Sequence, residues 1–164
     1  MKRKILSKLI EWKNKKNRKP LIVNGARQVG KTYILKEFGS HYYEKMAYVN
    51  CDKNKTLDKI FSQDYNISRI LLSLSAILHV NIEPENTLII FDEIQENPTV
   101  LNSLKYFCED ASQYHVAVAG SLLGISLHRD TSFPVGKVDM IKMYPMTFDE
   151  FLMAIDEQPS VDVL

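Results

Sequence analysis

Gly25-Ala26-Arg27-Gln28-Val29-Gly30-Lys31-Thr32 decides the reading of this chain. The octapeptide fits G-x-x-x-x-G-K-[ST], the phosphate-binding loop. The spacing has a chemical reason. Gly25 and Gly30 let the backbone turn tightly around a phosphate chain with no Cβ in the way. Successive backbone N–H groups from Ala26, Arg27, Gln28 and Val29 then form an anion nest. The helix that follows adds its positive N-terminal end, and Tyr33 closes the cofactor-binding segment. Lys31 can reach the β- and γ-phosphates, and the Thr32 hydroxyl can ligate Mg²⁺. Leu21-Ile22-Val23, after Pro20, reads as a short buried strand entering the loop. Thr32 to Phe38 reads as the helix leaving it, which Gly39 can end.

Working outward, strand and helix patterns alternate. Residues 2–16 form an amphipathic helical pattern, followed by a polar turn from Asn17 to Lys19. Met46–Asn50, Leu88–Asp92 and His115–Ala119 read as further strands, with Val138–Met143 as a fifth. Ile67–Leu78 is dense in Ile and Leu and reads as a helix. Pro98 opens another, running to about Ala111. Thr147 with Glu150 forms a capping box at the start of a last helix, Phe148–Ile155. Asp130–Gly136 reads as an exposed loop. This alternation predicts an α/β fold whose parallel sheet is covered on both faces.

A second chemical motif follows in Leu88-Ile89-Ile90-Phe91-Asp92-Glu93. Four apolar residues and an acid at the end of a strand form the Walker B pattern. Ligands of open α/β sheets bind beyond the carboxyl ends of the strands, so Asp92 should face the same crevice as the loop. Its expected role is to hold Mg²⁺, directly or through water. Glu93 can then orient and polarise the attacking water. Val116-Ala117-Val118-Ala119-Gly120-Ser121 ends a buried strand in a small polar residue. Ser121 can sense the phosphate or the water, or cap a helix.

Taken in order, residues 25–32, 89–95 (Ile-Ile-Phe-Asp-Glu-Ile-Gln), 119–121 (Ala-Gly-Ser) and 144–151 (Tyr-Pro-Met-Thr-Phe-Asp-Glu-Phe) resemble the AAA-like ATPase domain of a prokaryotic ATP-binding protein family. The resemblance runs from residue 2 to about 155. It implies a three-layer P-loop NTPase with about five strands and the phosphate-loop strand inside the sheet. It implies ATP and Mg²⁺ as ligands, with Lys31 and Thr32 on the phosphates and the ion. Asp92 and Glu93 would serve the ion and the water, and Ser121 the first sensor position. Adenine over guanine also follows from the resemblance, because no guanine-reading Asn-Lys-x-Asp motif appears. Many relatives have Gly-Arg where this chain has Gly136-Lys137, and lysine lacks the planar bidentate contact of arginine. Relatives carry a helical lid and a C-terminal domain after the position of Leu164. The expectation is therefore one ATPase domain, residues 1–164, within a longer protein. Residues 1–19 would be a basic helix and turn, and residues 20–164 the nucleotide-binding core.

Composition narrows the remaining classes. The 164 residues are 45% hydrophobic and 25% charged, ordinary values for one globular domain. No apolar run approaches the roughly 18 residues of a membrane helix, and the basic N-terminus lacks the apolar core of a secretory signal. Cys51 and Cys108 read as reduced core thiols, which fits a cytoplasmic protein. His41, His79, His115 and His128 have no ligand spacing that would predict zinc. Residues 1–20 carry nine Lys/Arg against one acid, Glu11; the rest carry twelve against nineteen. That leader could touch nucleic acid. The favoured reading is the solvated face of a helix whose Ile5, Leu6, Leu9, Ile10 and Trp12 pack inward.

The motifs predict an ATPase whose hydrolysis drives a conformational change in an attached module, its own C-terminal domain or another protein. The alternative is a nucleotide-binding regulatory module with little or no hydrolysis, because an arginine finger is not assured. Beyond residue 20 the arginines are Arg27, Arg69 and Arg129, of which Arg129 lies where a finger acting in trans could sit. A small-molecule kinase ranks lower, since it needs lid arginines that this chain scarcely offers.

Overall fold

The computed structural model describes residues 4–26, 30–121 and 136–144. Five strands form one sheet: β1 (Leu21–Asn24), β2 (Lys45–Asn50), β3 (Thr87–Asp92), β4 (His115–Gly120) and β5 (Asp139–Lys142). The spatial order is β2-β3-β4-β1-β5 and every neighbouring pair is parallel. The phosphate-loop strand therefore lies inside the sheet, as the family resemblance implies. Its register with β4 runs Leu21↔Ala117 to Asn24↔Gly120.

Helices α1 (Lys4–Lys13) and α2 (Lys31–Tyr42) cover one face. Helices α3 (Lys55–Gln63), α4 (Ile67–Leu78) and α5 (Pro98–Asp110) cover the other. The strands supply both cores by the two-residue alternation of side chains. Leu88 and Ile90 join the α1/α2 core with Leu21, Val23, Ala117 and Ala119. Ile89 and Phe91 join the α3/α4/α5 core with Ile22, Val116 and Val118. Every residue of β3 and β4 is buried, which is why these strands read as continuous apolar runs.

Local chemistry fixes the helix starts. Asn54, Asn66 and Asn97 cap α3, α4 and α5, each accepting the backbone N–H three residues on. Pro98 occupies the first turn of α5, where no N–H is needed. Two features differ from the sequence expectation. Gly39 does not end α2, which continues to Tyr42. Its role is close packing, since a Cβ there would fall 2.3 Å from Met46 Sδ and 3.3 Å from Leu88 Cδ2. Helix α3 was not expected at all. Its Leu57, Ile60 and Phe61 are buried on one side of a short, otherwise polar segment.

The basic N-terminal segment is engaged by the fold. Ile5, Leu9 and Trp12 are buried, and Trp12 Nε1 donates to the Lys19 carbonyl at 2.8 Å. Lys15 pairs with Asp139, while Lys13 lies over the Tyr43 ring and Arg18 over Trp12. Burial lowers the Arg18 pKa. Among the described residues no helix is long and apolar enough to cross a membrane. The expected helix Phe148–Ile155, with Thr147 and Glu150, lies outside the described residues, as do Arg27, Gln28, Val29 and Arg129.

Candidate functional site

Parallel pairing brings the C-terminal ends of β1, β3 and β4 to one edge of the sheet. Asn24, Asp92 and Gly120 end these strands, and the phosphate loop, the acidic pair and Ser121 follow them. The Gly25 N–H donates to the Gly120 carbonyl at 3.4 Å, which ties the start of the loop to the end of β4. A cleft of about 470 Å³ opens here, lined by Gly30, Lys31, Thr32, Asn50, Asp52, Asp92, Glu93, Gln95 and Ser121. That volume lies within the range of small-ligand sites, roughly 300–1,000 Å³. A larger cavity, about 610 Å³, lies between α4 and residues 110–114 and shares no residue with this cleft.

Gly30 precedes α2 with φ 91° and ψ 21°, a left-handed conformation that glycine adopts without strain. This turn sets the free N–H groups of the first turn of α2 at the mouth of the cleft. Lys31 Nζ donates to the carbonyls of Gly25 at 2.8 Å and Ala26 at 2.7 Å, so the ammonium turns back toward the end of β1. Partial burial lowers its pKa, while the nearby carboxylates of Glu93 and Asp92 oppose that shift.

The two sequence motifs meet at Asp92. Thr32 Oγ1 donates to Asp92 Oδ2 at 2.7 Å across 60 residues of chain. Tyr48 Oη donates to the same oxygen at 2.6 Å, and the Glu93 N–H donates to Oδ1 at 2.9 Å. Asp92 is 4% exposed, and three donors satisfy the buried carboxylate. Burial, then the bond to Asp92, raises the Tyr48 pKa. Lys36 Nζ lies 4.0 Å from the centre of the Tyr48 ring and steadies it from the exposed side of α2. Cys51, whose N–H donates to the Asp92 carbonyl, has its thiol pKa pushed up to about 12 by burial.

Glu93 adopts a left-handed conformation, φ 54° and ψ 47°, before a 3₁₀ turn at Ile94–Glu96. That conformation is uncommon for a residue other than glycine and clusters at functional sites. The Glu93 carboxylate lines the cleft and accepts from Gln95 Nε2 at 2.6 Å.

Lys31, Thr32, Asp92, Glu93, Ser121 and Gly30 therefore come together. Gly25 and Ala26 border them through Lys31. Tyr33 does not line the cleft; it is 48% exposed on the first turn of α2. Lys137 pairs with Glu109 of α5 at 3.2 Å and does not line it either. Tyr48, Gln95, Asn50 and Asp52 were not anticipated. Position at the C-terminal end of a strand was the only signal available for Asn50, and none marked Tyr48.

A Walker-type ATPase of Pyrococcus abyssi has a similar structure, with a TM-score of 0.61 at 16% identity. The match covers 94% of this chain and 57% of that one. Drosophila ORC bound to AT-rich DNA and Cdc6 matches 94% of this chain and 61% of its own at 12% identity, with a TM-score of 0.48. The chain thus spans about three-fifths of these structures, and at 16% identity the likeness to the Pyrococcus abyssi structure is one of fold. No curated protein matches it. The AAA domain family model matches residues 17–152, from the end of the basic segment to beyond β5, and the chain belongs to this family of P-loop ATPase domains.

Proposed function

We propose that the cleft binds Mg²⁺-ATP and hydrolyses its β–γ anhydride, with turnover changing the conformation of an attached module. The observation that carries this reading is the hydrogen bond from Thr32 Oγ1 to Asp92 Oδ2, which joins the two motifs at one point. Two hard oxygens 2.7 Å apart suit a small divalent cation, which prefers oxygen ligands. The Lys31 cation and the N-terminus of α2 suit a polyphosphate. The residues present therefore fit a Mg²⁺-nucleotide. Thr32 would hold the ion directly, and Asp92 directly or through water. Bound there, the ion would neutralise charge on the β- and γ-phosphates.

Each residue then has a distinct task. Gly25, Ala26 and Gly30 let the backbone approach the phosphates, and on the motif alone Arg27, Gln28 and Val29 belong to the same cradle. Lys31 binds the β- and γ-phosphate oxygens and stabilises the charge that develops on them. Glu93 takes a proton from water as the water oxygen bonds to the γ-phosphorus. The bond from that phosphorus to the bridging oxygen breaks, and its electron pair leaves with ADP. Ser121 contacts the γ-phosphate or the water. Tyr33, whose side chain lies outside the cleft lining, would contribute only its backbone N–H in the first turn of α2. The extent of the Pyrococcus abyssi structure, of which this chain spans 57%, supports an attached module.

The test is phosphate release beside calorimetric titration with ATP and Mg²⁺. Glu93→Gln should keep binding and slow release by about 10²-fold or more, because the amide retains shape without the basic carboxylate. Equal turnover in the two proteins would remove Glu93 from this role.

A further inference from the structure

Gln95 sits in the 3₁₀ turn two residues beyond Glu93, in the wall of the cleft. Both ends of its side-chain amide are engaged. Nε2 donates to Glu93 Oε2 at 2.6 Å, and Oε1 accepts the backbone N–H of Ser121 at 3.2 Å. Only one orientation of the amide satisfies both partners. A carboxylate accepts and a peptide N–H donates, so a flipped amide would set oxygen against oxygen and N–H against N–H.

The surroundings hold the amide in place. The left-handed conformation of Glu93 brings side chains 93 and 95 together. From the other side β4 closes on them. A Cβ on Gly120 would fall 2.3 Å from Gln95 Oε1, 2.8 Å from Ile94 Cγ2 and 3.1 Å from the Ile94 nitrogen. Gly120 thus has no room for a side chain, because the Gln95 amide and the turn occupy that space.

We propose that Gln95 is the positioning residue of Glu93, and that it ties the Glu93 carboxylate to the end of β4 at Ser121. The inference rests on the reading of Glu93 as the group that takes the proton of water. A glutamate side chain has three rotatable bonds, and a fixed donor on one oxygen removes most of that freedom. The bond engages Oε2 and leaves Oε1 to receive the proton. The other end of the same amide reads the backbone of Ser121. A phosphate contact at Ser121 therefore reaches Glu93 through a single side chain.

The experiment combines steady-state phosphate release with amide NMR of the whole chain. Gln95→Leu keeps the volume and removes both hydrogen bonds. It should lower kcat by about tenfold or more and leave the KM for ATP within about twofold, since Gln95 touches neither Lys31 nor Thr32. The double variant Glu93→Gln/Gln95→Leu should be no slower than Glu93→Gln, because residues that act as one unit are non-additive. A merely structural role would subtract the same factor in both backgrounds, and that result would overturn the proposal. The NMR arm needs no turnover. Glu93→Gln should move the Ser121 amide resonance when Gln95 is present and leave it in place in the Gln95→Leu background. If no phosphate is released yet Ser121 still responds, the hydrolytic reading fails and the tie stands. If Ser121 is indifferent to Glu93 with Gln95 present, the tie is disproved whatever the turnover. Should Gln95→Leu not fold, Gln95→Glu replaces it. That variant keeps the acceptor for Ser121 and sets a second carboxylate against Glu93, so the same loss of kcat at constant KM is expected.

Discussion

Tyr48 Oη and Thr32 Oγ1 both donate to a single oxygen, Oδ2 of Asp92, from opposite elements of the fold. Thr32 comes from α2 and Tyr48 from the edge strand β2. If Asp92 serves the ion and Thr32 must turn its oxygen toward it, Tyr48 is the donor left on Oδ2, beside the Glu93 N–H on Oδ1. Supporting partners of a metal-binding carboxylate typically contribute about 10- to 100-fold in metal affinity. Tyr48→Phe should therefore raise the Mg²⁺ concentration for half-maximal phosphate release by about tenfold. The maximal rate at saturating Mg²⁺ should change much less. A Mg²⁺ titration that superposes on that of the unmodified protein would leave Tyr48 a packing residue only.

Lys31→Ala should abolish tight nucleotide binding. The ammonium offers three donors and a mobile charge, and no other described side chain brings a cation into the cleft lining. Hydrogen bonds to charged groups contribute about 1.5–3 kcal/mol each. Losing the lysine on two phosphates should therefore weaken Mg²⁺-ATP by about 10²-fold or more in calorimetry. In the structure Lys31 also bonds the Gly25 and Ala26 carbonyls, so the variant needs a circular dichroism control. Unaltered affinity in a folded variant would take the phosphate site away from this loop.

What repeats by local rule is legible in the sequence. Buried strands announce themselves as apolar runs, and β3 and β4 are buried at every position. The phosphate loop is one contiguous string, and its strand and helix flank it directly. Gly39 misled because glycine ends helices by default. Here it sits inside α2, where tight packing on Met46 and Leu88 overrides its weak helix propensity. Helix α3 was missed because its three buried residues, Leu57, Ile60 and Phe61, fill too short a window to stand out. Asn54 before them was a legible cap. Tyr48 and Gln95 depend on contacts between elements far apart in the chain. No spacing could announce a tyrosine reaching Asp92 from 44 residues away or an amide reaching Ser121 across 26. Gln95 did stand inside a family-like string, but its task follows from the left-handed turn at Glu93.

His115 gives a prediction for stability against pH, independent of the cleft. Its ring is 3% exposed at the start of β4, edge-on to Trp12 and Tyr43, and its Nδ1 lies 2.6 Å from the Tyr43 hydroxyl. Burial pushes its pKa down to about 3, with the cations of Arg18 and Lys13 acting in the same direction. An unfolded histidine titrates near 6.5. The folded pKa is the lower one, so between these values the unfolded chain binds more protons than the native protein. Stability from this group is complete above about pH 6.5 and is lost as pH falls toward 3. The slope approaches about 1.4 kcal/mol per pH unit, and the loss between pH 7 and pH 5 is about 2 kcal/mol. His115→Gln replaces the ring by a neutral amide that can still hydrogen-bond Tyr43. It should be less stable at pH 7 by about 1–2 kcal/mol through lost ring packing. Its stability should also fall about 2 kcal/mol less than that of the unmodified protein between pH 7 and pH 5. Urea denaturation at the two pH values measures both quantities. The common carboxylates cancel in the comparison, so parallel losses in the two proteins would mean that His115 accepts its proton without unfolding, and the buried neutral imidazole would have to be abandoned.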